Sequence, residues 1–191
     1  FKNKKALDVG CGNGWFSIWA DRKGSLVDAI DPSAIQIHDA KQKDKKNKIN
    51  FIITGAENIK DLDNIYDLIF FFNSLHHISL DMMKKALNEG KRVAKETGYM
   101  FIIEPLSTGT FNEILKLVDD ERNIRAKAYY EISDFYQNAL ISNEEIFYEE
   151  KKEFNKFSEF CNLLLSADPK RKDLIVKFKD NVVLEHETFY T

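Results

Sequence analysis

Apolar runs of strand length alternate with helical patterns through the first hundred residues of this 191-residue chain. The strand-like runs are Ala6–Val9, Leu26–Ile30, Phe51–Ile53, Tyr66–Phe72 and Tyr99–Ile103. The fourth run is apolar without interruption, which is typical of a strand buried on both faces. Strands that alternate with helices predict a parallel sheet with crossover helices, so the predicted fold class is α/β, with a Rossmann-like sheet.

Helical patterns fill the segments between these runs. Helices are predicted at Trp15–Arg22 and Leu80–Ala94. Pro32 and Ser33 open a further helix, because proline suits a first turn, where its missing amide is not needed.

Beyond Pro105 the pattern changes to longer helices and two extended segments. Helices are predicted at residues 111–118, 124–140, 157–165 and 169–178, and extended segments at Ile146–Phe154 and Val182–Tyr190. We expect the two extended segments to form an antiparallel hairpin at the end of a seven-stranded, mostly parallel sheet. The helices of the C-terminal half would then be insertions over one edge of that sheet.

The composition disfavours several classes of partner. The formal net charge is −3, which argues against non-specific binding to nucleic acid or to an anionic membrane surface. The charge run at Lys41–Lys48 contains five lysines and no aromatic residue, so it is interpreted as a solvated helix end and loop. Cys11 and Cys161 show neither metal-ligand spacing nor a disulfide framework, and no apolar run reaches membrane-spanning length; we therefore expect a cytoplasmic protein.

The most informative motif is the glycine-rich loop after the first strand, which reads Asp8-Val-Gly10-Cys11-Gly12-Asn-Gly. Glycines let the backbone turn sharply and approach a ligand where a Cβ would collide, and the following helix points its free amide groups at the same place. Asp31 ends the second strand, where a carboxylate can accept hydrogen bonds from the hydroxyls of a ribose.

Two residues near this loop discriminate between nucleotide cofactors. Trp15 stands where a dinucleotide fingerprint requires a small residue, and Asp8 suits a cationic group better than a pyrophosphate. The loop resembles the first motif of the class I S-adenosylmethionine-dependent methyltransferases, which has the form acidic-x-Gly-x-Gly-x-Gly. The resemblance implies that Gly10, Cys11 and Gly12 bind the methionine portion of S-adenosylmethionine, with Asp8 near its ammonium group.

The resemblance extends over about Lys5–Pro105, and its further motifs arrive in the family's order. After Asp31, Pro32 and Ser33, the sequence Thr-Gly-Ala-Glu-Asn follows the third strand, where family members commonly have Gly-Asp-Ala-Glu. Gly55 thus replaces the acidic residue that usually holds the adenine amino group. Glu57, or the backbone around Ala56, would have to supply that contact.

The fourth strand leads into Asn73-Ser74-Leu75-His76-His77, which resembles a family motif ending in Leu-His-His. In open α/β sheets, ligands bind at the carboxyl ends of the strands. Asn73, Ser74 and Leu75 are therefore expected to contact the methionine portion of the cofactor, and the two histidines to open the loop beside the methyl group.

Methyl transfer from a sulfonium requires alignment of the acceptor, exclusion of water and, for some acceptors, removal of a proton. The candidate bases are His76, His77 and Glu104, the last of which follows the fifth strand. Packing or capping roles for the histidines, and a salt bridge or a cap for Glu104, remain open alternatives. No metal site is predicted, because these three residues form no tight ligand motif.

The resulting hypothesis is one domain over residues 1–191, with residues 1–105 as the cofactor-binding core and residues 106–191 as lid helices and sheet edge. Its expected activity is methylation of an oxygen or nitrogen atom of a small molecule, by a monomer or homodimer. One alternative is methylation of a protein or RNA, which would predict a basic rim around the cleft. A cofactor-binding regulatory subunit without turnover is another.

Overall fold

The computed structural model describes residues 1–116, 118–139, 144–167, 171–181 and 189–190. The chain divides into two compact units. The first comprises Phe1–Pro105 with Lys127–Ile141, and the second comprises Leu106–Ala126 with Ser142–Thr191.

Five parallel strands form the sheet of the first unit. They are β1 (Lys5–Val9), β2 (Leu26–Asp31), β3 (Asn50–Ile53), β4 (Tyr66–Phe72) and β5 (Ala94–Ile103). Their spatial order is β3-β2-β1-β4-β5, and every pairing between neighbours is parallel. The direction of winding reverses between β1 and β4, so the carboxyl ends of these two strands flank the crevice where open α/β sheets bind ligands.

Helices follow the strands as the sequence predicts. They are α1 (Trp15–Arg22), α2 (Ala34–Lys43), a 3-10 helix (Leu75–His77), α3 (Met83–Val93), α4 (Thr110–Leu115), α5 (Arg122–Ala139), α6 (Phe157–Ala167) and α7 (Lys172–Asn181). The predicted start of α3 at Leu80 is three residues too early, because Leu80 is exposed and the apolar stripe that α3 buries begins at Met83. Among the described residues, no helix is long and apolar enough to span a membrane.

The strand β4 is buried on both faces, as its continuous apolar run predicts. On one face Phe70 packs in a cluster with Phe16 of α1 and Ala40 of α2. On the other face α3 approaches closely at Gly90, where an added Cβ would lie 3.1 Å from the Phe71 ring. An α/β sheet with helices on both faces is therefore confirmed.

The fifth strand is longer than its apolar run. β5 begins at Ala94, five residues before the predicted start at Tyr99. Tyr66 pairs with Ala94 but Leu68 pairs with Tyr99, so the register shifts within the polar segment that precedes the apolar run. A pattern of apolar residues cannot indicate such an irregular start.

The prediction of a seven-stranded sheet closed by an antiparallel hairpin is not confirmed. Within the described residues, β6 (Glu153–Phe154) and β7 (Phe189–Tyr190) pair antiparallel in a two-stranded sheet of their own. Residues 182–188 of the predicted last strand lie outside the described residues. Residues 146–152 form no strand, because three consecutive apolar residues flanked by charges give neither face of a strand a surface to bury; Ile146–Tyr148 is exposed.

The helices predicted for the C-terminal half are confirmed, with α4, α5, α6 and α7 lying close to their expected bounds. A cluster of buried apolar side chains forms the core of the second unit; it contains Leu115, Val118, Phe154, Phe160, Leu164 and Ile175. In the same unit, Arg125 is buried and donates hydrogen bonds to Glu121 and to Asn112, at 2.6 Å each.

Candidate functional site

The glycine-rich loop between β1 and α1 turns through three left-handed glycines. Gly10, Gly12 and Gly14 have φ angles of 74°, 51° and 77°, which side chains with a Cβ rarely adopt. The backbone N–H groups of Gly10 and Cys11 donate to the carbonyl oxygen of Ile30 at 2.8 and 3.0 Å. These bonds fasten the loop to the end of β2.

The three glycines face different surroundings. A Cβ on Gly10 would lie 2.5 Å from the Cβ of Ser74, and a Cβ on Gly14 would lie 2.9 Å from the Cβ of Ala40. A Cβ on Gly12 would meet nothing within 4 Å. Gly10 and Gly14 are therefore needed for packing, whereas Gly12 leaves backbone open to a ligand.

Asp31, at the end of β2, connects this loop to the start of α2. One carboxylate oxygen accepts from the N–H of Gly12 at 2.9 Å, and the other accepts from the N–H of Ser33 at 2.8 Å. Ser33 caps α2 by accepting from the N–H of Gln36. Pro32, between Asp31 and Ser33 in the chain, is exposed. Each carboxylate oxygen keeps a second acceptor position, so Asp31 can still bind hydroxyl groups.

Asp8 lies beneath the loop and is buried. The hydroxyl of Ser17 in α1 donates to its carboxylate. Burial raises the pKa of Asp8 from 3.8 to about 7, against the opposing effect of the Ser17 bond and with some help from the charge of Asp31. A cation near Asp8 would favour its ionised form. Burial also raises the pKa of the Cys11 thiol, which therefore stays protonated.

The loop after β3 lies beside the same strand end. The N–H of Thr54 donates to the carbonyl oxygen of Asp31 at 3.2 Å, and the N–H of Asn58 closes a turn onto Gly55 at 3.2 Å. The Glu57 carboxylate folds back over Gly55, so a Cβ added at Gly55 would lie within 2.3 Å of it. Ala56, between them, is buried.

Glu104 and His76 form a buried pair at the ends of β5 and β4. The Glu104 carboxylate accepts from the N–H groups of Ser74, Leu75 and His76, at 2.8, 2.7 and 3.4 Å, and thereby caps the 3-10 helix. It also contacts Nδ1 of His76, and the side chains of His76 and Glu104 are 5% and 7% exposed. An ionised carboxylate at this position selects the tautomer with hydrogen on Nδ1.

The remaining residues of the fourth-strand motif lie around this pair. The exposed Asn73 has a left-handed φ of 50° and donates its N–H to Ile103 at 2.7 Å. The hydroxyl of Ser74 donates to the Val9 carbonyl at 2.7 Å, so Ser74 joins β4 to β1. His77 is exposed, and its ring centroid lies 4.1 Å from that of His76.

The sequence motifs do not indicate four residues that lie in, or contact, the segments described above. Ser17 bonds to Asp8, and the amide oxygen of Asn13 is buried without a hydrogen-bond partner among the described residues. Glu89 and Arg92 of α3 hold the loop after β3 through side-chain hydrogen bonds. Only the apolar stripe of α3 is visible in the sequence, because hydrogen bonds to distant loop backbone leave no local pattern.

The chain is similar to methyltransferases both in sequence and in structure. A family model described as a methyltransferase domain matches residues 7–102, about half of the chain. This range includes the glycine-rich loop, Asp31 and both histidines. A solved S-adenosylmethionine-dependent methyltransferase from Aquifex aeolicus is 25% identical, with a TM-score of 0.58, and the match covers 72% of each chain.

Curated relatives differ in what their names say they act on. A ubiquinone biosynthesis O-methyltransferase from Pelagibacter ubique is 36% identical over 118 residues, 60% of this chain and 45% of that protein. A ribosomal protein L11 methyltransferase from Thermosipho melanesiensis is 32% identical over 97 residues, 50% of this chain and 36% of that one. A malonyl-[acyl-carrier protein] O-methyltransferase from Buchnera aphidicola is 31% identical over 188 residues, 97% of this chain and 63% of that one. The chain thus spans less than two thirds of each relative.

Proposed function

The chain belongs to the S-adenosylmethionine-dependent methyltransferase family, and we propose that it transfers the methyl group of S-adenosylmethionine to an oxygen or nitrogen atom of a small molecule. The observation that carries the proposal is the position of Asp31. Its carboxylate bonds to Gly12 and Ser33 at the carboxyl edge of the sheet and keeps acceptor positions for ribose hydroxyls.

The residues present fit each part of this cofactor. Asp8 is a buried carboxyl group with a raised pKa, which a neighbouring ammonium group would bring into its ionised form. Gly12 offers backbone beside open space, and Asp31 with Pro32 and Ser33 suits the ribose. We assign the methionine portion to the two strand ends that flank the crevice, namely to Asp8, Gly10, Cys11, Gly12, Asn73, Ser74 and Leu75.

Glu57 and the backbone of Ala56 are proposed to bind the adenine. Gly55 has no side chain to accept a hydrogen bond from the adenine amino group, but the Glu57 carboxylate occupies the space next to it. A carboxylate is an acceptor on both oxygens, so it can bind an exocyclic amino group directly. Glu57, two positions further along the chain, thus supplies the carboxylate that glycine at position 55 cannot provide.

His76 is the base that the geometry favours among the three candidates. When bound, S-adenosylmethionine supplies a methyl group already activated on a positively charged sulfur. Glu104 accepts the Nδ1 hydrogen of His76, which leaves Nε2 to take a proton from a hydroxyl or amine of the acceptor. The negative charge of Glu104 then stabilises the resulting imidazolium. In this scheme Glu104 is a positioning residue, and His77 is the alternative base.

A small acceptor fits the charge distribution better than a large anionic one. Lys41 and Lys43 lie in the last turn of α2, whose first turn is beside Asp31. Because α2 has ten residues, its lysine-bearing end lies about 15 Å from the carboxyl edge of the sheet, not around it. Two of the relatives are named O-methyltransferases, which supports an oxygen acceptor.

The protein alternative rests on the relative that is named after ribosomal protein L11. A regulatory subunit that binds the cofactor without turnover is the other alternative. A cytoplasmic location and a monomeric or homodimeric state stay predictions.

The test is a transfer assay that detects S-adenosylhomocysteine. Purified protein and S-adenosylmethionine are incubated with a panel of phenols, carboxylic acids and amines, and in parallel with protein and RNA fractions. We expect product with a small acceptor in the panel, loss of product in His76→Ala, and unchanged product in Lys45→Met, a surface control. Product with macromolecular fractions alone would favour the protein or RNA alternative, and tight cofactor binding without any product would favour the regulatory subunit.

A further inference from the structure

Two side chains of α3 bind the backbone of the loop that follows β3. Arg92 donates from one guanidinium nitrogen to the carbonyl oxygen of Ile59 at 2.7 Å, and from the other to that of Asp61 at 2.9 Å. Glu89 accepts from the N–H of Ile59 at 3.1 Å. Both polar backbone groups of Ile59 are therefore satisfied by a single pair of side chains.

Glu89 and Arg92 also bond to each other in a parallel fork. Nε and one terminal nitrogen of Arg92 donate to the two carboxylate oxygens of Glu89, each at 2.8 Å. These bonds hold the pKa of the Glu89 carboxyl below its usual range, so Glu89 is ionised at neutral pH. The fork fixes the guanidinium plane, which a lysine at the same position could not do.

The pair anchors one end of a short segment whose other end is also anchored. Thr54, at the start of the segment, donates its N–H to the carbonyl oxygen of Asp31. Between Thr54 and Ile59 lies the turn that carries Ala56 and Glu57. Ile59 itself is buried, so its side chain and its backbone are both held in place. The carboxylate of Glu57 thus projects from backbone that is fixed on both sides.

We infer that Glu89 and Arg92 are positioning residues for adenine recognition, because they hold the loop in the conformation from which Glu57 binds the adenine amino group. This inference rests on the proposed function. Neither residue is assigned a contact with the cofactor itself. Preorganised loops bind tightly because less conformational freedom is lost when the ligand enters, so loosening the loop weakens both cofactor affinity and the preference for adenine.

The test compares two ligands that differ only at the base. S-Adenosylhomocysteine carries the adenine amino group, and S-inosylhomocysteine has an oxygen there instead. Their dissociation constants are measured for the full chain and for Arg92→Gln, Arg92→Lys and Glu89→Gln. Lys84→Met is the matched control, because Lys84 lies on α3 and its ion pair with Asp134 involves no part of the loop.

The wild type is expected to prefer the adenosyl ligand. In Arg92→Gln the affinity for that ligand should fall about tenfold, the scale of one or two hydrogen bonds, and the preference should shrink towards one. Arg92→Lys should have an affinity and a preference between those of the wild type and Arg92→Gln. If Arg92→Gln does not fold, the same two quantities are measured in Glu89→Gln. Lys84→Met should keep both values.

A wild-type preference that persists unchanged in Arg92→Gln and Glu89→Gln overturns the inference and leaves the proposed function intact. A wild type that binds the two ligands equally overturns adenine recognition by Glu57 and the inference with it. A wild type that binds neither ligand overturns the proposed function itself.

Discussion

Asp31 accepts a hydrogen bond from the backbone N–H of Gly12 at 2.9 Å, and this contact joins the end of β2 to the loop that follows β1. The same carboxylate accepts from Ser33 at the start of α2. Two loops that are separated along the chain are thereby held by one side chain at the carboxyl edge of the sheet. The proposed cofactor site is consequently preorganised around Asp31.

Alanine at the first two glycines of the loop should have different consequences. Gly10→Ala places a methyl group 2.5 Å from the Cβ of Ser74, so we expect a loss of about 2 to 3 kcal/mol in the free energy of unfolding. Gly12→Ala meets no neighbouring atom, and only its left-handed φ is unfavourable, by about 1 kcal/mol. Its cofactor affinity should nevertheless fall sharply, because the methyl group enters the space left for the ligand.

Denaturant unfolding and calorimetry measure these two quantities for each variant. Cofactor affinity in Gly12→Ala equal to that of the wild type would place the ligand elsewhere. A Gly10→Ala protein as stable as the wild type would mean that Ser74 moves aside freely.

Asp8 should make stability depend on pH. Its pKa is raised from 3.8 to about 7 by burial, so between these values the folded protein holds a proton that the unfolded chain has released. The contribution of Asp8 to the free energy of unfolding is fully present below pH 3.8 and falls by about 1.4 kcal/mol for each pH unit above it. It is lost once the pH has risen through about 7. Asp8→Asn cannot ionise, so it should be the more stable protein above neutral pH while binding the cofactor less tightly.

The free energy of unfolding of the wild type and of Asp8→Asn, measured at about pH 5 and about pH 8, gives the change in stability with pH for each protein. Parallel slopes would contradict a buried, neutral Asp8.

Replacement of His76 should separate chemistry from binding. We expect His76→Ala to lower turnover by about 100- to 10,000-fold, the usual contribution of a general base, with little change in the dissociation constant of S-adenosylhomocysteine. Glu104→Gln should lower turnover too, because a neutral amide stabilises the imidazolium less well than the carboxylate does. His77→Ala serves as the neighbouring control; a larger loss there than in His76→Ala would reassign the base.

The proposed contact between a carboxylate and the adenine amino group can be tested by moving the carboxylate from position 57 to position 55. Glu57→Ala should lose the preference for S-adenosylhomocysteine over its inosyl analogue, since no carboxylate then remains beside Gly55. The double variant Gly55→Asp with Glu57→Ala should regain it, because the new carboxylate occupies the vacated space. If the preference survives in Glu57→Ala alone, the backbone around Ala56 reads the adenine instead.

Local patterns in the sequence predict the parallel sheet and its order of elements well. The apolar runs of β1 and β4 are buried on both faces, and the left-handed glycines of the loop lie where their spacing indicates. The seven-stranded sheet with its terminal hairpin is the part of the prediction that is not confirmed: Ile146–Tyr148 is apolar but has no alternation, and it is exposed. The early start of β5 is missed as well, because its first residues are polar.

The candidate site is only partly visible in the sequence. Positions next to strand ends, such as Asp31 and Glu104, can be found because parallel strands bring their carboxyl ends to one edge. Two other contacts join residues that are about 30 positions apart in the sequence. Glu104 pairs with His76, and Arg92 donates a hydrogen bond to the backbone carbonyl of Ile59. Such contacts require the fold itself and leave no periodic signal.

We infer that Asp31 and the glycine-rich loop bind S-adenosylmethionine, and calorimetry with S-adenosylmethionine and with NAD provides the test. We predict that the wild type binds S-adenosylmethionine more tightly than NAD. Asp31→Asn should weaken binding of S-adenosylmethionine by about tenfold or more, the value of a hydrogen bond to a charged group. Tighter binding of NAD, or an affinity for S-adenosylmethionine that Asp31→Asn leaves unchanged, would contradict the claim.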